Sequence, residues 1–257
     1  MPDVTPKDSP RALAIPGMHE RLLKEITRQC PVGSWHHLLD LGAGQGAMSQ
    51  RLVDAGYQVC ACDMFPEMFR CPEVECRRAD AREPLPYAND QFDAVVCVEV
   101  VEHLESQLGL FQEVQRILRP GGLFLFSTPN IVSLKSRLAF LLTGYFYSHG
   151  PLRVDQRDPV SQHIAAFTPD RYRFMLHQAG LNMTHLTTDK YQKSSIWLSP
   201  LAPLIWAATR WRHAPTVGTS LENSRAALFG RTLVGVAVND AQTIPVMGEP
   251  VINPAAA

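Results

Sequence analysis

The densest chemistry in this chain of 257 residues lies in the run Leu38-Leu39-Asp40-Leu41-Gly42-Ala43-Gly44-Gln45-Gly46. Its apolar start predicts a strand. Its three glycines predict a turn whose backbone can come close to a ligand, and the helix that should follow would turn unpaired N–H groups toward an anion. Gly42, Gly44 and Ala47 also satisfy the dinucleotide pattern G-x-G-x-x-G/A. Asp63, at the end of the next strand-like run, could hold ribose hydroxyls for either kind of cofactor. The glycine turn alone therefore leaves two cofactor classes open.

Strand-like and helix-like runs alternate around that turn. Met18–Cys30 has the spacing of a helix, with Leu22, Leu23 and Ile26 on one face, and stops before Pro31. His37–Leu41 reads as strand 1, Ala47–Ala55 as a helix, Tyr57–Cys62 as strand 2, Val74–Arg78 as strand 3 and Phe92–Val98 as strand 4. Leu104–Leu118 reads as a helix closed by Arg119-Pro120-Gly121-Gly122, and Leu123–Ser127 as strand 5. Thr168–Gly180 is a helix with Thr168 as N-cap, Pro169 in its first turn and Gly180 at its end. Leu181–Thr187 and Thr232–Val238 supply strands 6 and 7. Such alternation implies βαβ units and a parallel sheet. Two stretches stand outside the repeat and read as insertions: 130–168, a basic, aromatic-rich helix candidate and a loop without a clear period, and 191–228, irregular. The expected organisation is a flexible tail over 1–16, one domain over 17–240 with those insertions, and a flexible tail over 241–257.

The segments after strand 2 separate the cofactor classes. Asp40 precedes the turn, Gly46 extends it to GxGxG, and Asp80 ends strand 3 in Arg78-Ala79-Asp80-Ala81. Strand 4 runs into Val98-Glu99-Val100-Val101-Glu102-His103-Leu104, and strand 5 follows a Pro-Gly-Gly turn. In these motifs, over residues 36–127 with a weaker echo at 160–190, the sequence resembles the class I S-adenosylmethionine (SAM)-dependent methyltransferases. It is most similar to the branch with ubiquinone-type and sugar O-methyltransferases. A short-chain dehydrogenase would need Tyr-x-x-x-Lys, and no tyrosine here has lysine four residues on.

The resemblance implies an α/β, Rossmann-like, doubly wound sheet of seven strands, mostly parallel with strand 7 antiparallel. It implies SAM as cofactor, held by Asp40, Gly42, Ala43, Gly44, Gly46, Asp63, Met64, Asp80, Ala81, Glu99 and Val100. Among these, Asp40 would orient the turn and meet the ammonium, Asp63 the ribose hydroxyls and Asp80 the adenine amino group, while Glu99 and Val100 flank the sulfonium end. It implies methyl transfer, with oxygen favoured, to a small-molecule, sugar or lipid-linked acceptor. A catalytically inactive SAM-binding scaffold is the alternative.

A base is needed where the acceptor is a hydroxyl or a protonated amine, and histidine titrates nearest neutrality. His163, in Gln162-His163-Ile164-Ala165-Ala166-Phe167, resembles a family segment bordering the acceptor pocket. His103, expected at the start of the helix after strand 4, is the second candidate, with His149 behind them; His36, His37, His19, His177, His185 and His213 look incidental. No H-x-x-x-H spacing occurs, and no metal site is expected.

The bulk properties bound the partners. A net charge of −1 gives no field for nucleic acid, and no Asn/Asp-Pro-Pro-Tyr motif follows strand 4. The six cysteines form no CxxC pair and read as reduced, which points to the cytoplasm. The N-terminus has no apolar run of a signal peptide, and Ile196–Ala208 is too short to span a membrane. Yet Trp197, Trp206 and Trp211 beside Arg210 and Arg212, with the basic, apolar run Ser133–Leu142, suit a lid, a dimer contact or the inner face of a membrane. Monomer and homodimer are both compatible with this pattern.

Overall fold

The aliphatic and β-branched runs pair into one seven-stranded sheet in the order β3-β2-β1-β4-β5-β7-β6. The structure is a computed structural model that describes residues 9–33, 37–156, 161–213 and 221–240. The strands are β1 (His37–Leu41), β2 (Gln58–Asp63), β3 (Cys76–Arg78), β4 (Phe92–Val98), β5 (Leu118–Pro129), β6 (Leu181–Thr187) and β7 (Thr232–Asn239). β1 to β5 run parallel, with Leu39 opposite both Cys60 and Val95, whereas β7 is antiparallel to β5 and to β6. This is the expected sheet, with its antiparallel seventh strand. Gly235 is needed where β7 crosses β5, because a Cβ there would lie 2.4 Å from the Phe126 ring.

Side chains alternate across the sheet with a period of two. Leu38, Ala94, Val96 and Leu125 meet α1 (Met18–Gln29) and α2 (Ala47–Asp54) on one face. Leu39, Val95, Phe124 and Phe126 meet α3 (Gln107–Ile117) and α5 (Pro169–Gln178) on the other. α5 begins as its sequence predicts, with the Thr168 hydroxyl accepting from the Arg171 N–H.

The first insertion holds a basic helix as expected, α4 (Leu134–Thr143). The second differs from expectation and is largely helical: α6 (Lys193–Trp197), α7 (Ala202–His213) and α8 (Arg225–Phe229), with 3₁₀ turns between them. No single period spans such short pieces, so the sequence pattern hides them. Buried Asn130 ties the second insertion to the end of β5, donating to the carbonyls of Ala227 and Gly230 at 2.8 and 2.9 Å. Arg137 faces inward, bonded to Val132 O, Glu222 O and Asn223 Oδ1.

The helix expected from Leu104 starts later. Val101–His103 is a separate 3₁₀ turn, and α3 begins at Gln107 after Ser106. Residues 1–8 and 241–257, called flexible tails, lie outside the described residues, as do His36 and the side chain of His213. Residues 9–16 are described and lie against the domain: Arg231 donates to Pro16 O at 3.0 Å.

Candidate functional site: a cavity at the carboxyl ends of the strands

A cavity of about 390 Å³ opens where β1, β2 and β4 end, the switch point of a doubly wound sheet. Asp40, Gly42, Ala43, Gly44, Asp63, Met64, Asp80, Ala81, Glu99 and Val100 line it, as do His103 and His163. Gly46 is the exception. It does not line the cavity but begins α2 at φ 87°, where a Cβ would meet the Phe69 ring at 2.7 Å. Its need is backbone freedom and packing, not ligand contact.

Gly42 and Gly44 hold φ of 74° and 55°, and a Cβ on Gly42 would strike Val100 at 2.3 Å. The carboxylate of Asp63 fastens this turn. Its Oδ2 accepts from the Gly44 N–H and its Oδ1 from the Phe65 N–H, both at 2.8 Å. A carboxylate oxygen has a second lone pair, so both can still accept from a diol in the cavity. Asp40 is fully enclosed and takes a 2.6 Å hydrogen bond from the Ser49 hydroxyl; burial pushes its carboxyl up to about 6. Asp80 is chelated by Arg82 through Nε and Nη2, which holds it below the usual carboxylate range and fixes its orientation.

Glu99 carries the clearest sign of a missing partner. It sits at φ 52°, a left-handed backbone that a glutamate adopts only under constraint. Its Oε2 accepts from the Ile15 N–H, while Oε1 is buried with no hydrogen bond. Burial raises its pKa. A cationic group in the cavity would satisfy that oxygen.

Beyond Glu99, the histidines gather. The Ile164 and Ala165 N–H groups both donate to Glu102 O, at 2.9 and 3.0 Å, and Gln107 Nε2 bridges Val101 O and Ala165 O. These bonds bring His163 to His103, with ring centroids 5.0 Å apart, and His149 follows at 5.2 Å from His163. His103 Nδ1 donates to Gln162 O at 2.9 Å, which in the neutral ring leaves the basic lone pair on Nε2. His163 Nδ1 points to Ser148 O at a longer 3.4 Å. Burial and the neighbouring imidazoles lower His149 to about 4.

Glu102, in the same turn, is buried with both carboxyl oxygens unbonded, and burial lifts it to about 8. Ligand atoms of Glu102, His103 and His163 lie within 4.8 Å of one another, close enough to share one cation. Spacing along the sequence gives no sign of this cluster. The spacing test looks within one segment, whereas these donors come from two segments some 60 residues apart.

The sequence reading also missed Glu102, Arg82 and the wall built by Leu13 and Arg11. Leu13 lies against Gly44, and the Arg11 N–H donates to Gln45 Oε1 at 3.1 Å. Glu102 stood beside a candidate and could have been weighed with it. Nothing in residues 9–16 announces contact with a turn thirty residues away.

Residues 39–126 match the family model described as a methyltransferase domain. A probable S-adenosylmethionine-dependent methyltransferase of Mycolicibacterium smegmatis is 32% identical over 120 residues, 45% of either chain. A ubiquinone biosynthesis O-methyltransferase of Xanthomonas oryzae pv. oryzae is 30% identical over 102 residues, covering 36% of this chain and 43% of that one. The chain thus spans under half the length of these curated relatives. A SAM-dependent methyltransferase structure from Archaeoglobus fulgidus superposes with a TM-score of 0.57 at 16% identity, over 86% of this chain and 94% of that one. The methyltransferase in a Haloferax volcanii complex with the activator Trm112 does so with 0.54 at 19%, over 86% and 90%. Residues 39–126 thus match a methyltransferase domain by sequence, and the whole sheet shares the fold of SAM-dependent methyltransferase structures.

Proposed function

We propose that the protein transfers a methyl group from SAM to an oxygen of a small-molecule, sugar or lipid-linked acceptor, in the cytoplasm or at the inner face of a membrane, as a monomer or homodimer. The observation that carries this reading is the His103–His163 pair on the cavity wall, beside the buried carboxyl of Glu102. A hydroxyl is a poor nucleophile until its proton leaves, and an imidazole at the cavity edge is suited to take it.

When bound, SAM supplies an activated methyl on a sulfonium leaving group. Asp63 would hold the ribose, Asp80 and Ala81 the adenine, and Glu99, with its unbonded Oε1, the positive charge of the methionine portion. Gly42 and Gly44 leave room for that portion against the backbone. Asp40 acts through Ser49 and the turn. His163 would receive the acceptor's proton on Nε2 while its Nδ1 side faces the Ser148 carbonyl. His103, oriented by Gln162, would steady the ring that becomes charged. Alignment and exclusion of water do the rest, and such positioning can supply several kcal/mol.

The test separates base from binder. His163→Ala should cut turnover by at least about a hundredfold, the usual size of a general-base contribution, while calorimetric affinity for S-adenosylhomocysteine stays unchanged. Turnover equal to wild type would remove His163 from the mechanism.

A further inference from the structure

Two stretches in the insertions carry positive charge alone. Residues 131–154 contain Lys135, Arg137 and Arg153, residues 190–212 contain Lys190, Lys193, Arg210 and Arg212, and neither contains an aspartate or glutamate. Both stretches also leave large apolar side chains in solvent. On α4 and just after it these are Leu141, 79% exposed, with Leu142, Phe140 and Tyr145; on α6 and α7 they are Trp197 and Trp211, 86% and 88% exposed, with Leu204. A soluble surface rarely concentrates such residues without a partner.

The two stretches are physically joined. Leu134 of α4 shares one apolar cluster with Leu198, just after α6, and with Ala202 and Ile205 of α7, and the Lys135 N–H donates to Ser195 Oγ of α6. Trp206 is pinned from behind, its indole N–H donating to Asn223 O at 2.9 Å. Glu222 is the acid closest in sequence to this anchor, and its carboxylate accepts the Asp170 N–H at 2.6 Å. Arg153, Lys190, Lys193, Arg210 and Arg212 remain exposed. The first stretch carries His149, 5.2 Å from His163, and Phe146 and Ala166 pack in one cluster with Ile131 and Val132, so this surface continues toward the histidine side of the cavity.

We propose that α4, α6 and α7 form an interfacial platform that docks the protein on an anionic lipid bilayer. Tryptophans favour the boundary between headgroups and acyl chains, leucines enter the acyl edge, and a rim of cations without acids matches negative headgroups. No helix among the described residues is long and apolar enough to cross a membrane, so contact is at the surface. The platform serves the proposed lipid-linked acceptor, whose apolar tail can stay in the bilayer while its head reaches the histidines. Docking itself requires no turnover, so the two readings fail separately.

The experiment is co-sedimentation of the full chain with vesicles of phosphatidylcholine, alone or with about one-third phosphatidylglycerol. The expected result is binding to the anionic vesicles only, lost on raising salt toward about 0.5 M, where the Debye length is a few ångströms. Trp197→Glu with Trp211→Glu, and separately Arg210→Glu with Arg212→Glu, should each weaken binding at least about fivefold, within the range expected of losing two surface cations. Affinity for S-adenosylhomocysteine should stay the same in both variants, which shows that they fold. Binding to neither vesicle, or equally to both, overturns the proposal. So does light scattering that shows a dimer split by the tryptophan variants, because the face would then join two copies of this chain.

Discussion

The Ile15 N–H donates to Glu99 Oε2 at 3.2 Å, linking the segment before α1 to the strained residue after β4. Together with Leu13 on Gly44, it makes residues 11–15 one wall of the cavity proposed to hold SAM. Leu13→Gly should therefore shorten the residence of S-adenosylhomocysteine, raising Kd about three- to tenfold, the equivalent of roughly 1 kcal/mol of lost apolar contact. Stopped-flow dissociation and calorimetry measure this. An unchanged off-rate would make the segment a bystander.

Asp63 does two jobs, so its variants should separate them. Asp63→Ala removes the acceptor for Gly44 and Phe65 as well as the one facing the cavity. It should weaken S-adenosylhomocysteine by at least about 1.5 kcal/mol, the range for hydrogen bonds to a charged group, which is more than tenfold in Kd. Asp63→Asn keeps one carbonyl acceptor and should fall between. NADH should bind to none of the three proteins. Calorimetry that shows wild-type affinity in Asp63→Ala would remove this residue from the cofactor site.

Glu102 is buried without hydrogen bonds, which makes its carboxyl a liability for folding and a candidate for function. Glu102→Gln keeps the shape and removes the acid. The melting temperature should hold or rise slightly, while turnover falls at least about tenfold if the group supports the His103–His163 pair in proton transfer. A variant with normal turnover and lower stability would instead mark Glu102 as a packing residue.

Where a property is local, it was legible in advance. β1, β4 and β6 fall at their expected bounds, β1 ending at the glycine turn and β6 starting after Gly180, and the glycine turn announces itself through residues that only a turn requires. Ten of the eleven expected cofactor residues reach one cavity, since a parallel sheet aligns its strand ends whatever the details of its loops. Properties that depend on distant segments were not legible. His103 does not open a helix, because Gln107 and the backbone at 164–165 hold its turn apart from α3. The inward turn of Arg137 follows from the carbonyls of a 3₁₀ turn some 85 residues away, which nothing in its own basic, apolar run records.

His19 looked incidental, yet it is buried at the cavity wall beside Arg51, and burial, with the arginine's charge, lowers it to about 4. In the unfolded chain it would titrate near 6.5. Between those values the unfolded state binds more protons, so this residue's contribution favours folding above pH 6.5 and is lost as pH falls toward 4. From pH 7 to pH 5 the loss should be about 1–2 kcal/mol, allowing for partial solvent screening. His149 adds a loss of the same sign, whereas the raised carboxyls of Asp40 and Glu102 act oppositely, so wild type alone does not isolate the effect. The difference between wild type and His19→Gln does. Urea denaturation at pH 7 and pH 5 should show wild type losing about 1–2 kcal/mol more than the variant over that interval. Parallel pH dependences in the two proteins would mean that His19 is solvated enough to titrate normally.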